Sequence, residues 1–308
     1  MAGKAETDSI AFSDQMLDVT GWPIIAGEPR GVRPKWWILG PDGARWLRKE
    51  PRDSRPYEPA IELATLTLAR LAGFPTPDAA LARWTTDDGI QHRGLVVRTF
   101  LKTGQTLEHG AAVLQEYDRG YNPECKVEHS LARVRESLES YEEKIGRGAL
   151  CQPFVSLLVF DAWIGNGDRH PANWGLVVAK GALPILSPIY DTAACLGAEL
   201  TDGKLLLTAA GRTEATLRRY IERCPSGFGD GRHLISNKQV LREALTWPES
   251  RIVVPSLLET FEVIEQSATT QIFQAYMPDE LPLTRQELAC ALLNERLLWL
   301  RQEVANAH

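Results

Sequence analysis

GNGDRHPANWG (residues 165–175) and SPIYD (residues 187–191) are the two stretches that decide how this chain is interpreted. They place Asp168 five residues before Asn173 and follow them, within one short segment, with a second aspartate, Asp191. Phosphoryl transfer from ATP needs a carboxylate that orients the attacking hydroxyl, and it needs an asparagine and a further carboxylate that hold Mg²⁺. The sequence therefore predicts a kinase, whose protein part supplies positioning and charge neutralisation.

Size and charge allow this interpretation and exclude some others. A chain of 308 residues and 34.3 kDa is long for a single domain and suits two lobes that share a cleft. Its net charge of -6 and its pI near 5.6 argue against wholesale nucleic-acid binding, so we expect no direct contact with nucleic acid.

Cysteine usage and hydropathy point to a cytoplasmic location. The five cysteines are scattered and form no Cys-x-x-Cys pair, which is typical of reduced thiols and offers no zinc site. The N-terminus lacks the apolar core of a signal peptide. The most apolar run, residues 154–164, is far too short to span a bilayer, so no membrane association is expected.

The first hundred residues read as short strands around one helix. Segments 34–39 and 44–49 flank the turn residues GPDG and predict a hairpin. Good helix formers fill residues 58–72, and Gly73 follows as a suitable helix terminator. Segments 81–84 and 94–100 predict a further pair of strands.

The rest of the chain is mainly helical by pattern. A short hairpin is predicted from residues 176–178 and 183–186. Helices are predicted over residues 127–144, 149–164, 213–223, 237–245, 254–275 and 284–306. The turn-rich region 110–130 is predicted to be a mobile, substrate-facing loop.

Together these segments predict an α+β, two-lobed protein-kinase-like fold. A small β-rich N-lobe is followed by a larger, mostly α-helical C-lobe, with the catalytic residues in the cleft between them. The expected organisation is an N-terminal extension over residues 1–20, an N-lobe over residues 21–100 and a C-lobe over residues 101–308.

Four segments resemble HipA-like kinases. Residues 161–175 resemble the catalytic segment of that family, and residues 187–191 resemble its metal-binding segment. GVRPK (residues 31–35) resembles its phosphate-side loop, and WLRKEP (residues 46–51) resembles the strand that ends in the ATP lysine. The similarity runs from about Gly27 to Leu196 and continues more weakly through the C-terminal helices. It implies a compact ATP- and Mg²⁺-dependent kinase that phosphorylates a serine or threonine of a protein.

The resemblance assigns a role to each motif residue. Asp168 would orient or deprotonate the acceptor hydroxyl, and His170 would brace the catalytic loop. Asn173 and Asp191 would coordinate Mg²⁺, which prefers oxygen ligands. Lys49 would pair with the α- and β-phosphates of ATP.

A carboxylate of the predicted helix would hold Lys49 in place. Glu58 and Glu62 lie on one helix face, and Glu62 is favoured because it opens the apolar run 63–71. The other nucleotide-binding candidates form two groups. Gly31, Val32 and Lys35 would lie beside the phosphates. Val97, Arg98 and Thr99 would lie in an interlobe hinge beside the adenine base.

Three departures from the family pattern bear on regulation. Thr192 follows Asp191, so activation control by a phenylalanine at this position is absent. Arg33 stands where the family often has glutamine, which adds positive charge near the phosphates. Residues 31–35 contain no serine, which argues against self-inactivation by autophosphorylation in this loop.

Three functions remain open at this stage. The first is a Ser/Thr kinase that is the toxin of a bacterial toxin–antitoxin pair, with a translation component as its substrate and an antitoxin or repressor as its partner. The second is a kinase of the same fold with a small-molecule or lipid acceptor; the apolar and then acidic residues 192–202 fit a lipid headgroup poorly. The third is a non-catalytic scaffold in a repressor complex, which would not need the intact set of Lys49, Asp168, Asn173 and Asp191.

Overall fold

A six-stranded sheet and one long helix form the N-terminal region of the computed structural model, which describes residues 16–27, 33–201 and 214–307. The elements of this region are β1 (Leu17–Asp18), β2 (Ile24–Gly27), β3 (Lys35–Leu39), β4 (Arg45–Lys49), α1 (Glu58–Leu71), β5 (Ala79–Thr85) and β6 (Gln91–Arg98).

The order of the strands is β1-β5-β6-β4-β3-β2, and every pair is antiparallel except β1 with β5. The predicted hairpin joins β3 to β4, with Gly43 in the left-handed region at φ 76° as the turn requires. In this register Lys35 lies directly opposite Lys49. Opposed residues of an antiparallel pair share one face of the sheet, so the two lysines emerge side by side.

Helix α1 lies on this sheet with an almost wholly buried inner face. Pro59 stands at its start, where a missing N–H is tolerated, and Gly73 at φ 83° follows its end. The buried residues Ala60, Ala64 and Leu68 join the main hydrophobic core. Glu62 lies on the same buried side, fully excluded from water, and such a carboxylate needs a cationic partner.

The C-terminal region is mostly helical and carries two small β-structures. β7, β8 and β9 form a three-stranded sheet, and β10 and β11 form a hairpin. The elements are β7 (Gln105–His109), α2 (Gly110–Tyr117), a 3₁₀ turn (Lys126–Glu128), α3 (Leu131–Ile145), α4 (Cys151–Ile164), β8 (Gly175–Ala179), β9 (Ile185–Leu186), α5 (Glu214–Glu222), β10 (Pro225–Gly229), β11 (Leu234–Ser236), α6 (Asn237–Leu245), α7 (Ser250–Ser267), α8 (Thr269–Gln274) and α9 (Leu283–Ala307).

Helix α4 is the centre of this region. It is apolar on nearly every side, as a helix surrounded by protein must be, and it packs against α6, α7 and α9. It ends at Gly165, whose φ of 67° is left-handed and whose Cα lies against the side chain of Arg296. The guanidinium of Arg296 donates to the carbonyl of Ala162 at 3.0 Å, which caps the last turn of α4. The backbone at residue 165, where the segment 165–175 begins, is therefore held in place by Arg296.

The α+β class predicted from the sequence is confirmed, with a sheet-based N-terminal region and a helical C-terminal part. The predicted domain boundaries remain a prediction. Among the described residues no helix combines the length and the apolar character that a membrane span requires.

Two predicted segments need correction. Region 110–130 is not one loop, because residues 110–117 form α2, whose Val113 and Leu114 are fully buried. The helix predicted over 254–275 is divided, since α7 ends at Ser267 and α8 begins at Thr269. Ala268 between them departs from helical geometry at φ -129°.

Candidate active site

The conformation of residues 165–175, the predicted catalytic loop, is set by a buried ion pair. Asp161, in the last turn of α4, accepts hydrogen bonds of 2.7 and 2.8 Å from Nε and Nη2 of Arg169. It also accepts one of 2.9 Å from Nδ2 of Asn166. Arg169 further donates to the carbonyl groups of Asn173 and Tyr190. Burial would lower the pKa of Arg169, but the Asp161 carboxylate outweighs it and raises the pKa, so Arg169 remains a fixed cation.

Asp168 projects from this loop with its carboxylate open to solvent. Its side chain is 55% exposed, whereas its backbone is held by a bond from its own N–H to Oδ1 of Asn166. Nε2 of His170 lies 3.8 Å from Oδ2 of this carboxylate. An exposed carboxylate on a rigid backbone can accept a hydrogen bond from a bound hydroxyl.

Opposite this loop lies a cluster of three cations and two carboxylates. Nζ of Lys49 contacts Glu62 and lies 3.0 Å from Oδ1 of Asp191. Lys35 lies 2.9 Å from Oδ2 of Asp191, and Arg33 lies 2.9 Å from Oε2 of Glu62. Ion pairs thus connect the N-terminal sheet, α1 and the segment that ends in Asp191.

Lys49 and Asp191 stabilise each other's ionised forms. Burial would lower the pKa of Lys49, but the carboxylates of Asp191 and Glu62 outweigh it and raise that pKa. Burial would raise the pKa of Asp191, but Lys49 and Lys35 hold it well below its usual range. Lys49 and Asp191 are therefore both charged at neutral pH.

The structure separates the two candidate glutamates. Glu62 contacts Lys49, while Glu58 pairs with Arg52, whose Nε lies 3.1 Å from Oε2 of Glu58. Arg55 lies 3.6 Å from the same carboxylate.

This separation gives a matched pair of variants. We expect Glu62→Gln to lower the free energy of unfolding by about 3 kcal/mol, because it leaves the buried charge of Lys49 with one carboxylate fewer. Glu58→Gln should cost clearly less, since Arg52 remains partly open to water. Denaturant unfolding of both variants measures the difference, and equal losses would contradict the assignment.

A cleft of about 1290 Å³ receives residues from both regions. The candidates from the sequence that line it are Lys35, Asp168, His170, Asn173 and Asp191, joined by Arg33 and Arg52. Gly31 and Val32, predicted to form the phosphate-side loop, lie outside the described residues.

The adenine contact predicted at residues 97–99 remains a prediction, although two backbone amides of this segment already have partners within the protein. The N–H of Arg98 donates to the carbonyl of Asp78 at 2.8 Å, and the N–H of Thr99 donates to the carbonyl of Arg45 at 2.9 Å. Val97 is buried within the sheet. The amides of Arg98 and Thr99 are therefore both engaged within the protein.

The chemistry of Asn173 and Asp191 fits a hard divalent cation. Nδ2 of Asn173 donates to the carbonyl of Asp168 at 2.8 Å, which leaves its amide oxygen for a metal ion. Asp191 adds a carboxylate, and its φ of 54° is a strained conformation of the kind that clusters at functional sites. No group of three or more His, Cys, Asp or Glu side chains among the described residues could hold a metal. A cation here would complete its shell with phosphate oxygens and water, as Mg²⁺ usually does.

Sequence reasoning missed a buried histidine behind the catalytic loop. Nδ1 of His129 donates to the carbonyl of Gly227 at 2.9 Å, and its Nε2 accepts from Nε1 of Trp174 at 3.2 Å. Its ring stacks on Phe228 at 4.2 Å. In the same β10–β11 hairpin, the carbonyl of Ser226 accepts a hydrogen bond from the N–H of Arg169. The hairpin therefore contacts and supports the loop that contains Arg169. No local sequence pattern marks this contact.

His129 makes the stability of the fold depend on pH. Burial lowers its pKa from 6.5 to about 4, so between these values the unfolded chain binds a proton that the folded chain does not. The stability contribution is complete above pH 6.5 and is lost as the pH falls towards 4, a change of roughly 3 kcal/mol. We expect His129→Phe, which keeps an aromatic ring, to show a flatter dependence of unfolding free energy on pH. Identical pH profiles for the two proteins would contradict this prediction.

Two sequence comparisons identify relatives of the chain. The family model of the HipA-like C-terminal domain matches residues 28–245. The putative kinase Y4dM of Sinorhizobium fredii is 28% identical over 156 residues. That alignment covers 48% of this chain and only 37% of the relative, so the chain corresponds to little more than a third of that protein.

Solved structures show the fold. The Helicobacter pylori proinflammatory kinase CtkA matches with a TM-score of 0.71 at 18% identity, over 95% of this chain and 98% of that one. HipA of Shewanella oneidensis MR-1, solved with HipB and operator DNA, matches with a TM-score of 0.50 at 14% identity, over 92% of this chain and 67% of that one. The Golgi casein kinase matches with a TM-score of 0.50 at 13% identity, over 94% and 74%.

These likenesses confirm the predicted protein-kinase-like fold. The family match spans both the lysine strand and the catalytic loop, and the kinase fold extends over nearly the whole chain. The chain belongs to the HipA-like kinase family.

Proposed function

We propose that this chain is an ATP- and Mg²⁺-dependent kinase that transfers the γ-phosphoryl group to a serine or threonine hydroxyl of a protein. One observation carries the proposal. Asp168 and Asn173 of the catalytic loop face the same cleft as Asp191, and Asp191 is joined by charge to the Lys49–Glu62 pair. A scaffold has no need of such a set.

The N-terminal region supplies the groups that would hold the phosphates. Lys49, oriented by Glu62, would donate to the α- and β-phosphates of ATP. Lys35 stands beside it across the sheet and would add a second cation. Arg33 is 7% exposed, and its Nη2 has no hydrogen-bond partner among the described residues, so it has a donor to spare for a phosphate oxygen.

The C-terminal region supplies the groups for metal and acceptor. Asn173 and Asp191 would hold Mg²⁺, which when bound neutralises charge on the phosphate oxygens. Asp168 would accept the hydrogen bond of the acceptor hydroxyl and align its oxygen with the γ-phosphorus. A new oxygen–phosphorus bond would form as the bond to the β,γ-bridging oxygen breaks, the hydroxyl proton would pass to the Asp168 carboxylate, and ADP would leave. His170, near the Asp168 carboxylate, would steady its orientation.

The walls of the cleft favour a protein acceptor over a lipid headgroup. The lining of the cleft includes the apolar residues Pro123, Pro225, Leu234 and Ile235, together with the oppositely charged pair Glu124 and Lys126. An inositol phosphate would require a cluster of basic side chains here, and Lys126 is the one lysine or arginine of this group. A small-molecule acceptor remains the alternative.

We further propose a toxin-type role in the cytoplasm with an antitoxin or repressor partner. The support is the likeness to HipA of Shewanella oneidensis, which was solved as a toxin–antitoxin system with HipB and its operator DNA. The acidic net charge of -6 favours the partner rather than this chain for any DNA contact. A translation component is the proposed substrate.

Nucleotide binding tests the proposal before any acceptor is known. Isothermal titration of the purified chain with ATP should show binding that strengthens when Mg²⁺ is added. Absence of ATP binding both with and without Mg²⁺ would refute the kinase and leave the scaffold.

A further inference from the structure

Two buried threonines join the N-terminal helix to the segment that carries Asp191. The hydroxyl oxygens of Thr65, on α1, and Thr192 lie 2.6 Å apart, although 127 positions separate them in the chain. Both side chains are completely excluded from water. Thr65 follows Glu62 by three positions and Thr192 directly follows Asp191, so the bond connects the neighbours of two charged residues of the site.

The direction of this hydrogen bond follows from the number of hydrogens. A threonine hydroxyl has one hydrogen to donate. Oγ of Thr65 lies 3.0 Å from the carbonyl of Ile61 and 3.0 Å from that of Glu62, so its hydrogen is directed at its own helix. Thr192 is therefore the donor and Thr65 the acceptor.

The bond restrains a strained backbone. Asp191 has a φ of 54°, which a residue with a side chain adopts only when its surroundings require it. On its N-terminal side, the carbonyl of Tyr190 accepts a 3.3 Å hydrogen bond from Arg169. On its C-terminal side, the Thr192 hydroxyl is attached to α1. The conformation of Asp191 is thus fixed from both directions, once by the catalytic loop and once by α1.

We propose that the Thr65–Thr192 hydrogen bond is a positioning contact that holds Asp191 in place for Mg²⁺ and couples its position to that of Glu62. This inference rests on the proposed function, because it assigns Asp191 to the metal. A displacement of α1 would move Thr192, and with it Asp191, as well as the Lys49–Glu62 pair. The proposed metal ligand and the proposed phosphate-binding lysine would therefore shift together.

The test compares hydroxyl-deleting variants with a hydroxyl-keeping one. Thr192→Val should raise the dissociation constant of ATP in the presence of Mg²⁺ roughly tenfold, and Thr192→Ser should restore it. Without Mg²⁺, ATP affinity should fall less than it does with Mg²⁺, because no metal is then bound and Lys49 keeps its contact with Glu62. Thr65→Val should lower the melting temperature more than Thr192→Val does, because it leaves the buried Thr192 donor without an acceptor.

Thr269→Val is the matched control. Thr269 is 1% exposed, its hydroxyl donates to the carbonyl of Ile264, and it is not among the residues that line the cleft. It should lower the melting temperature without altering Mg²⁺-dependent ATP binding.

Wild-type affinity in Thr192→Val, or an equal loss in Thr269→Val, would overturn the positioning role while the proposed function stands. Failure of the wild type itself to bind ATP with Mg²⁺ would overturn the proposed function and this inference together.

Discussion

Asp168→Asn should slow phosphoryl transfer by roughly a thousandfold while leaving the affinity for Mg²⁺–ATP within about twofold of wild type. An asparagine amide presents a donor as well as an acceptor and cannot take up a proton, so the acceptor hydroxyl loses its orienting carboxylate. The fold should tolerate the change, because the Asp168 side chain is 55% exposed and the hydrogen bonds that hold the loop come from its backbone.

Release of ADP and transfer of labelled phosphate, both at saturating ATP, measure this effect. Asp88→Asn is a suitable control, since Asp88 is an exposed aspartate in the turn between β5 and β6, away from the cleft. A variant that keeps more than about a tenth of the wild-type rate would contradict the role of Asp168 as the orienting carboxylate.

Asp191→Ala should abolish most of the gain in ATP affinity that Mg²⁺ provides, a weakening of roughly a hundredfold. The reason is specific to this site, because Asp191 offers a carboxylate to the metal and also engages Lys35 and Lys49. Removing it frees both lysines for the phosphates. Metal-free ATP should therefore bind the variant at least as tightly as it binds the wild type.

Titrations with ATP, in Mg²⁺ and in chelator, separate these two effects. Asp191→Asn, which keeps the volume of the side chain, controls for a change in folding, and a thermal melt of each variant accompanies the titrations. Unaltered affinity for Mg²⁺–ATP in Asp191→Ala would contradict the metal-binding role. Weaker binding of metal-free ATP to a folded variant would contradict the freeing of the lysines.

The elements that the sequence predicts correctly are marked by short patterns of neighbouring residues. The hairpin at residues 34–49 follows from GPDG between two β-rich segments, and α4 follows from an apolar run of helical length. The preference for Glu62 at Lys49 rested on its position beside an apolar run, which marks the buried face of a helix. The structure places Glu62 there because α1 turns that face onto the sheet.

The features that the sequence does not predict are contacts between segments that are distant along the chain. His129 and Gly227, or Thr65 and Thr192, meet only when the whole chain has folded, and neither residue of a pair marks its partner. Helix α2 lies in the region predicted as a loop because turn-forming residues follow it closely. The partners of the Arg98 and Thr99 amides are set by strand register, which the local sequence does not specify.

Mg²⁺-dependent transfer of labelled γ-phosphate from ATP to a protein of a bacterial lysate, with wild type and Asp168→Asn side by side, is the most direct test of the proposed function. We predict a labelled protein band with wild type, with the label on serine or threonine. The band should be lost without Mg²⁺ and lost with Asp168→Asn. A wild type that binds Mg²⁺–ATP but labels no protein would contradict the proposed protein acceptor and favour a small molecule.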